Sequence, residues 1–150
     1  MYILAPGGIA RTYPYSVGQL RADNPQVSFP RDPSDALLAE WGVFPVAETT
    51  QPTVTYAQNL AEAAPQRIEG VWTQVWRVTD ASAGEIAERT NAQAANIRSE
   101  RNERLAACDW TQLADAPVNS LGWANYRQAL RDVTAQPGFP WAVDWPVPPT

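Results

Sequence analysis

The 150 residues include 11 basic against 16 acidic side chains, a net charge of −5, and every base is an arginine, since lysine and histidine are missing altogether. That balance denies nucleic acid the basic footprint it needs, and without histidine or lysine the usual general bases and nucleophile-activating dyads cannot be assembled. A hydrophobic fraction of 45% suits one ordinary domain or two small lobes, the 14 prolines call for many turns, and the single cysteine excludes an intramolecular disulfide or a cysteine-based metal site.

In chain order, the apolar groups of residues 1–15 are broken by Pro6, Gly7, Gly8 and Pro14, a pattern that suits an edge strand and a turn. They lack the basic start and the length of a targeting signal, and no apolar run long enough to span a bilayer follows, so the chain reads as soluble and cytosolic at synthesis. Ser16 stands where a helix cap belongs, ahead of Val17 and Leu20, with Pro25 bounding that short helix. A second begins after Ser34 and Asp35, places Leu37, Leu38 and Trp41 on one face, and meets a left-handed terminator in Gly42.

Val43 to Val46 is a strand candidate and Ala47 to Pro52 a loop. Residues 53–60 and 71–79, separated by Ile68-Glu69-Gly70, read as a hairpin with one well-buried side bearing Trp72, Trp76 and Val78. Tryptophans on a strand most simply make core, although flat rings also suit sugars. Ser82 and Glu85 then form a capping box for a long helix from Ala83 to about Ala107. Its large apolar residues are few. It is either a solvated alanine-rich helix or a spacer that pairs with a second copy through a seam of Ile86, Thr90, Gln93 and Ile97.

The last segment concentrates rings: Trp110, Trp123, Tyr126, Phe139, Trp141 and Trp145 share it with many prolines. So proline-broken a stretch has to lay those rings on a second surface. Asp109 can accept from the amide of Gln112 to start a tight turn, and Asn119 or Ser120 can cap a helix whose stripe is Trp123, Tyr126, Leu130 and Val133. Arg127 and Arg131 form a row beside it and require anionic partners such as Asp109, Asp115 or a group on another chain. Beyond Gln136-Pro137-Gly138-Phe139-Pro140 the chain should run extended from Trp141 to Pro146. The carboxylate pairs that could serve hydrolysis, Asp32 with Asp35 and Asp109 with Asp115, sit where aspartate ordinarily caps. A non-enzyme without cofactor or metal is the expectation.

Arg101 to Leu105, the sequence Asp109-Trp110-Thr111-Gln112, the run from Trp123 to Asp132, and the closing Gln136-Pro137-Gly138-Phe139-Pro140 with Trp145-Pro146 together resemble the phage tail assembly chaperone family, small proteins associated with tail-fibre genes. Residues 18–46 look, more loosely, like the front ends of small phage tail proteins. One departure is that only Asn119-Ser120-Leu121-Gly122 precedes Trp123, and Gly122 weakens the first turn of its helix.

The resemblance implies a protein that binds a tail fibre or baseplate subunit and assists its folding and assembly in the host cytoplasm, whether it then leaves or stays on the virion tail; the alternative is a permanent tail part that touches host glycans. The implied partner-binding residues are Trp110, Trp123, Tyr126, Arg127, Leu130, Arg131, Phe139, Trp141 and Trp145. No nucleic acid or membrane partner is expected, and a homo-oligomer would form through the 83–107 helix. The expected fold is α+β: a β-rich lobe over 1–80 with a hairpin and short helices, a long connecting helix over 81–107, and a short helical lobe over 108–150 ending in an extended Pro/Trp-rich tail.

Overall fold

The computed structural model describes residues 1–149, which form two compact units, one ending at Asp80 and the next beginning at Ala81. The architecture is α+β. In the first unit, strands β1 (Tyr2–Leu4), β2 (Thr12–Tyr15) and β3 (Val43–Pro45) make an antiparallel sheet in the order β2-β1-β3. The opening strand is therefore central, not an edge. Pro6, Gly7 and Gly8 lie just past its end in a 3-10 turn, so they interrupt no ladder, and Pro14 falls on the true edge strand β2, where a missing donor costs nothing.

Alternation along β1 splits the core. Tyr2 and Leu4 face a cluster built from Tyr15, Leu20, Leu38 and Val43, while Ile3 and Ala5 face Val46 and Trp72. Helices α1 (Val17–Asp23) and α2 (Asp35–Glu40) supply Leu20 and Leu38 to the first cluster. Both start as their caps require: Ser16 accepts from the amide of Gln19 and Ser34 from that of Leu37.

The hairpin is present but shifted. Strand β4 covers Gln58–Ile68 and β5 Val71–Asp80, joined by a two-residue turn with φ of 50° at Glu69 and 86° at Gly70. The β-branched run Thr53 to Thr55 lies outside the ladder, because the side chain of Gln58 accepts from the amide and hydroxyl of Thr55 and holds a turn there. Pro65 is accommodated inside β4 by a register shift between Ala63 and Gln66. The expected buried side is reduced to one residue: Trp72 is 7% exposed, Trp76 half-buried and Val78 41% exposed. Of the three only Trp72 reaches the cluster of Ile3, Ala5 and Val46, and the loop after Val46 touches β5 through an isolated bridge in which the Ala47 amide donates to Trp72 O and the Gln74 amide to Ala47 O, each at 2.8 Å.

Two phenols tie this unit to its acids. The Tyr15 hydroxyl donates to Asp23 at 2.6 Å, and that of Tyr13 donates to Glu62. Burial first, then the hydrogen bond and the negative charge of the partner, push both pKa values up to about 12. A folded pKa above the unfolded value of about 10 means that the unfolded chain gives up these protons first. This contribution is complete below pH ~10 and is lost as pH rises toward about 12. We expect unit 1 to lose stability over that window, with Tyr15→Phe removing part of the pH dependence in alkaline urea melts; a flat response in the parent would disprove it.

The second unit opens with α3 (Ala83–Ala107), whose capping box is intact: the Ser82 side chain accepts from the Glu85 amide and the Glu85 carboxylate from that of Ser82. Only Ala94 and Ile97 of this helix are buried. A 3-10 turn, Asp109–Gln112, precedes α4 (Ser120–Asp132) and a last 3-10 turn, Val133–Ala135. No helix among the described residues is long and apolar enough to cross a membrane.

Candidate partner-binding surface

Helix α4 organises the site. Asn119 caps it by accepting from the Gly122 amide at 3.1 Å, and a Cβ on Gly122 would sit 3.2 Å from the Asn119 amide nitrogen and in ordinary contact with Pro149 at 3.5 Å. The stripe then buries as its spacing predicts, with Tyr126 9% exposed and Leu130 and Val133 fully covered. Cys108, Tyr126 and Leu130 form the core of this cluster, and Leu105, Trp123 and Trp145 pack against it.

Trp123 faces both ways. Its ring meets Tyr126 edge-on at 5.6 Å, and on the other side Trp110 leans on it at 6.3 Å with the planes 53° apart. Trp110 is 51% exposed, and Leu113 and Leu121 on the flanking segments are 62% and 70% exposed. Trp123 also lines a cleft of about 510 Å³ together with Ala116, Pro117, Val118, Asn119 and Pro149. The result is a partly exposed surface running from Trp110 across Trp123 to the cleft closed by Pro149.

The two arginines part company. Arg127 turns inward, with its side chain 11% exposed and Nη2 2.7 Å from Asp109 Oδ1. The same guanidinium donates through Nη1 to Leu105 O at 2.8 Å and to Cys108 Sγ at 3.1 Å. Burial alone disfavours its charge, yet the bonds from Asp109 and Cys108 outweigh that and leave the pKa above the ordinary arginine value. Asp109 thus serves Arg127 and makes no side-chain cap to the turn it begins, contrary to the sequence expectation. Arg131 is exposed and has no ion-pair partner among the described residues.

The tail turns before it extends. The Trp141 and Ala142 amides both donate to Gly138 O, at 2.9 and 2.7 Å, so extended chain begins only at Val143. Gly138 permits this closure, because a Cβ on it would lie 2.4 Å from Ala142 O. The Gln136 side chain then clamps Asp144 through both its amide atoms, each at 2.8 Å. Phe139 receives the guanidinium of Arg98 at 5.3 Å and Trp145 that of Arg104 at 4.3 Å, so these rings lie on α3. Gln93 approaches Pro140 O at 3.5 Å and Ile97 is 9% exposed, so half of the seam considered for self-association already faces the chain's own tail or core.

Of the residues singled out in the sequence, Trp110, Trp123, Tyr126, Arg127, Leu130 and Trp145 gather in one place, Phe139 lies on α3, Trp141 is 40% exposed, and Arg131 stands outside. Leu113 and Leu121 were not anticipated. The signal for Leu121 was available, since it falls off the stripe defined by Trp123, Tyr126 and Leu130 and has no other apolar face to join. No group of three or more potential metal ligands occurs among the described residues.

No curated protein and no solved structure matches the chain. The segment that builds this surface does match: residues 94–150, less than half of the chain and beginning well after residues 18–46, fit the family model described as phage tail assembly chaperone protein.

Proposed function

We propose that the chain is an assembly chaperone that binds a phage tail fibre or other tail subunit through the Trp110 and Trp123 surface and holds it until it is incorporated. The observation that carries this reading is the half-exposed Trp110 tilted against Trp123 within the family-matched segment. A large ring left half in solvent beside a second ring is a usual mark of a protein-binding centre. The fully buried Leu130 and nearly buried Tyr126 act from beneath, by shaping the surface, while Trp110, Trp123, Leu113 and Leu121 make the contact. The role is non-catalytic.

Coexpression of the full chain with each tail subunit encoded near it identifies the partner as the one rendered soluble and co-purified. Trp110→Ala is then expected to weaken that complex by about 2 kcal/mol, the scale of an interface hot spot, while leaving thermal stability nearly unchanged. Retention of full affinity in this variant would remove Trp110 from the interface. Mass spectrometry of assembled particles decides whether the protein stays on the virion.

A further inference from the structure

Arg127 holds three elements with one planar group: the last turn of α3 through Leu105 O, the helix cap through Cys108 Sγ, and the first residue of the next turn through Asp109. Leu105 O already accepts from the Cys108 amide at 3.2 Å, and the buried guanidinium adds a charged donor to it at the negative end of the helix dipole. Trp110 is the residue immediately after Asp109, and the ring it leans on, Trp123, lies one helical turn before Arg127 on the same helix. Helix α4 therefore presents, four residues apart, both the support of the Trp110 ring and the anchor of the backbone that carries it. Inside that 3-10 turn the buried Thr111 hydroxyl donates to Cys108 O at 2.6 Å, which holds the turn's own shape, whereas Arg127 supplies the bonds that tie it to α4.

We infer that Arg127 is a positioning residue of the chaperone surface, which acts on the tail subunit through Trp110 by locking the 108–112 turn to α4. This rests on the function proposed above. Arg127 is too covered to meet a partner itself. A lysine carries its three donors on one nitrogen and lacks the planar fork by which Arg127 reaches Asp109 from one nitrogen and Leu105 and Cys108 from the other.

The test combines Arg127→Lys with Trp110→Ala in the full chain. The indole N–H resonance of Trp110, identified as the one missing from the Trp110→Ala protein, is expected to shift and broaden in Arg127→Lys. Affinity for the tail subunit co-purified with the parent should fall about tenfold in Arg127→Lys alone and show no further fall when Trp110 is already alanine, the non-additivity of coupled residues. An unmoved indole resonance, or equal losses in both backgrounds, overturns the inference. Should Arg127→Lys fail to fold, Asp109→Asn, which alters only the exposed end of the knot, takes its place under the same criteria. If the parent captures no tail subunit, the proposed function fails while the resonance still decides the link between Arg127 and Trp110.

Discussion

Leu130→Ala is expected to destabilise the second unit by about 3–5 kcal/mol, the upper part of the range for a fully buried leucine. The side chain has no exposed surface and sits among Cys108, Tyr126, Leu105, Trp123 and Trp145. The cost of such a deletion depends on how far the neighbours can collapse into the space. Here they are held: Arg127 fixes Cys108 and the end of α3, the Trp145 ring is pinned under Arg104, and Gln136 clamps the chain just before Trp145. A cavity that cannot close keeps its full penalty. Hydrogen exchange by unit in dilute denaturant is the suitable measurement, because the first unit has its own clusters and should keep its protection. A loss below about 1 kcal/mol would mean that Leu130 is not the centre of this core.

The local chemistry of the helices was readable in the sequence because each signal is self-contained. Ser16, Ser34, Ser82 and Asn119 all cap where their spacing to the next residues says they should, and Tyr126, Leu130 and Val133 are buried as the period of their stripe demands, with Trp123 half-buried at its start. Strand pairing was less legible, since it is decided by residues far apart. Nothing around Met1 states that Val43 will pair on one side of β1 and Thr12 on the other, or that Ala47 will lie against Trp72. At the candidate surface the ring-rich segment was visible, but its division into buried and open parts was not. Arg127 and Arg131 share a helix row and differ only in what the preceding turn brings near them, an acid for one and solvent for the other. Asp109 was assigned to its own turn because capping is a local rule, and a guanidinium reaching across from α4 outcompeted it.

Gly42→Ala should cost the first unit about 2–5 kcal/mol, from two independent sources. Gly42 follows α2 with φ of +71°, the left-handed region in which a Cβ costs an L-residue about 1–2 kcal/mol. A Cβ there would also stand 2.8 Å from Pro6 Cα and 3.0 Å from Pro6 N, both backbone atoms. Backbone cannot swing aside as a side-chain tip can, and this stretch is tied down by the Ala5 amide donating to Gly42 O at 2.7 Å, the contact that continues the β1 and β3 pairing. Overpacking of this kind adds about 1–3 kcal/mol. Gly70 provides the control: its φ is +86°, yet nothing lies within 4 Å of an added Cβ, so Gly70→Ala should show the conformational cost alone. Urea midpoints for the two variants measured side by side separate the terms. Equal losses would show that Pro6 yields to the methyl group and that the close approach of the α2 terminus to β1 carries no strain of its own.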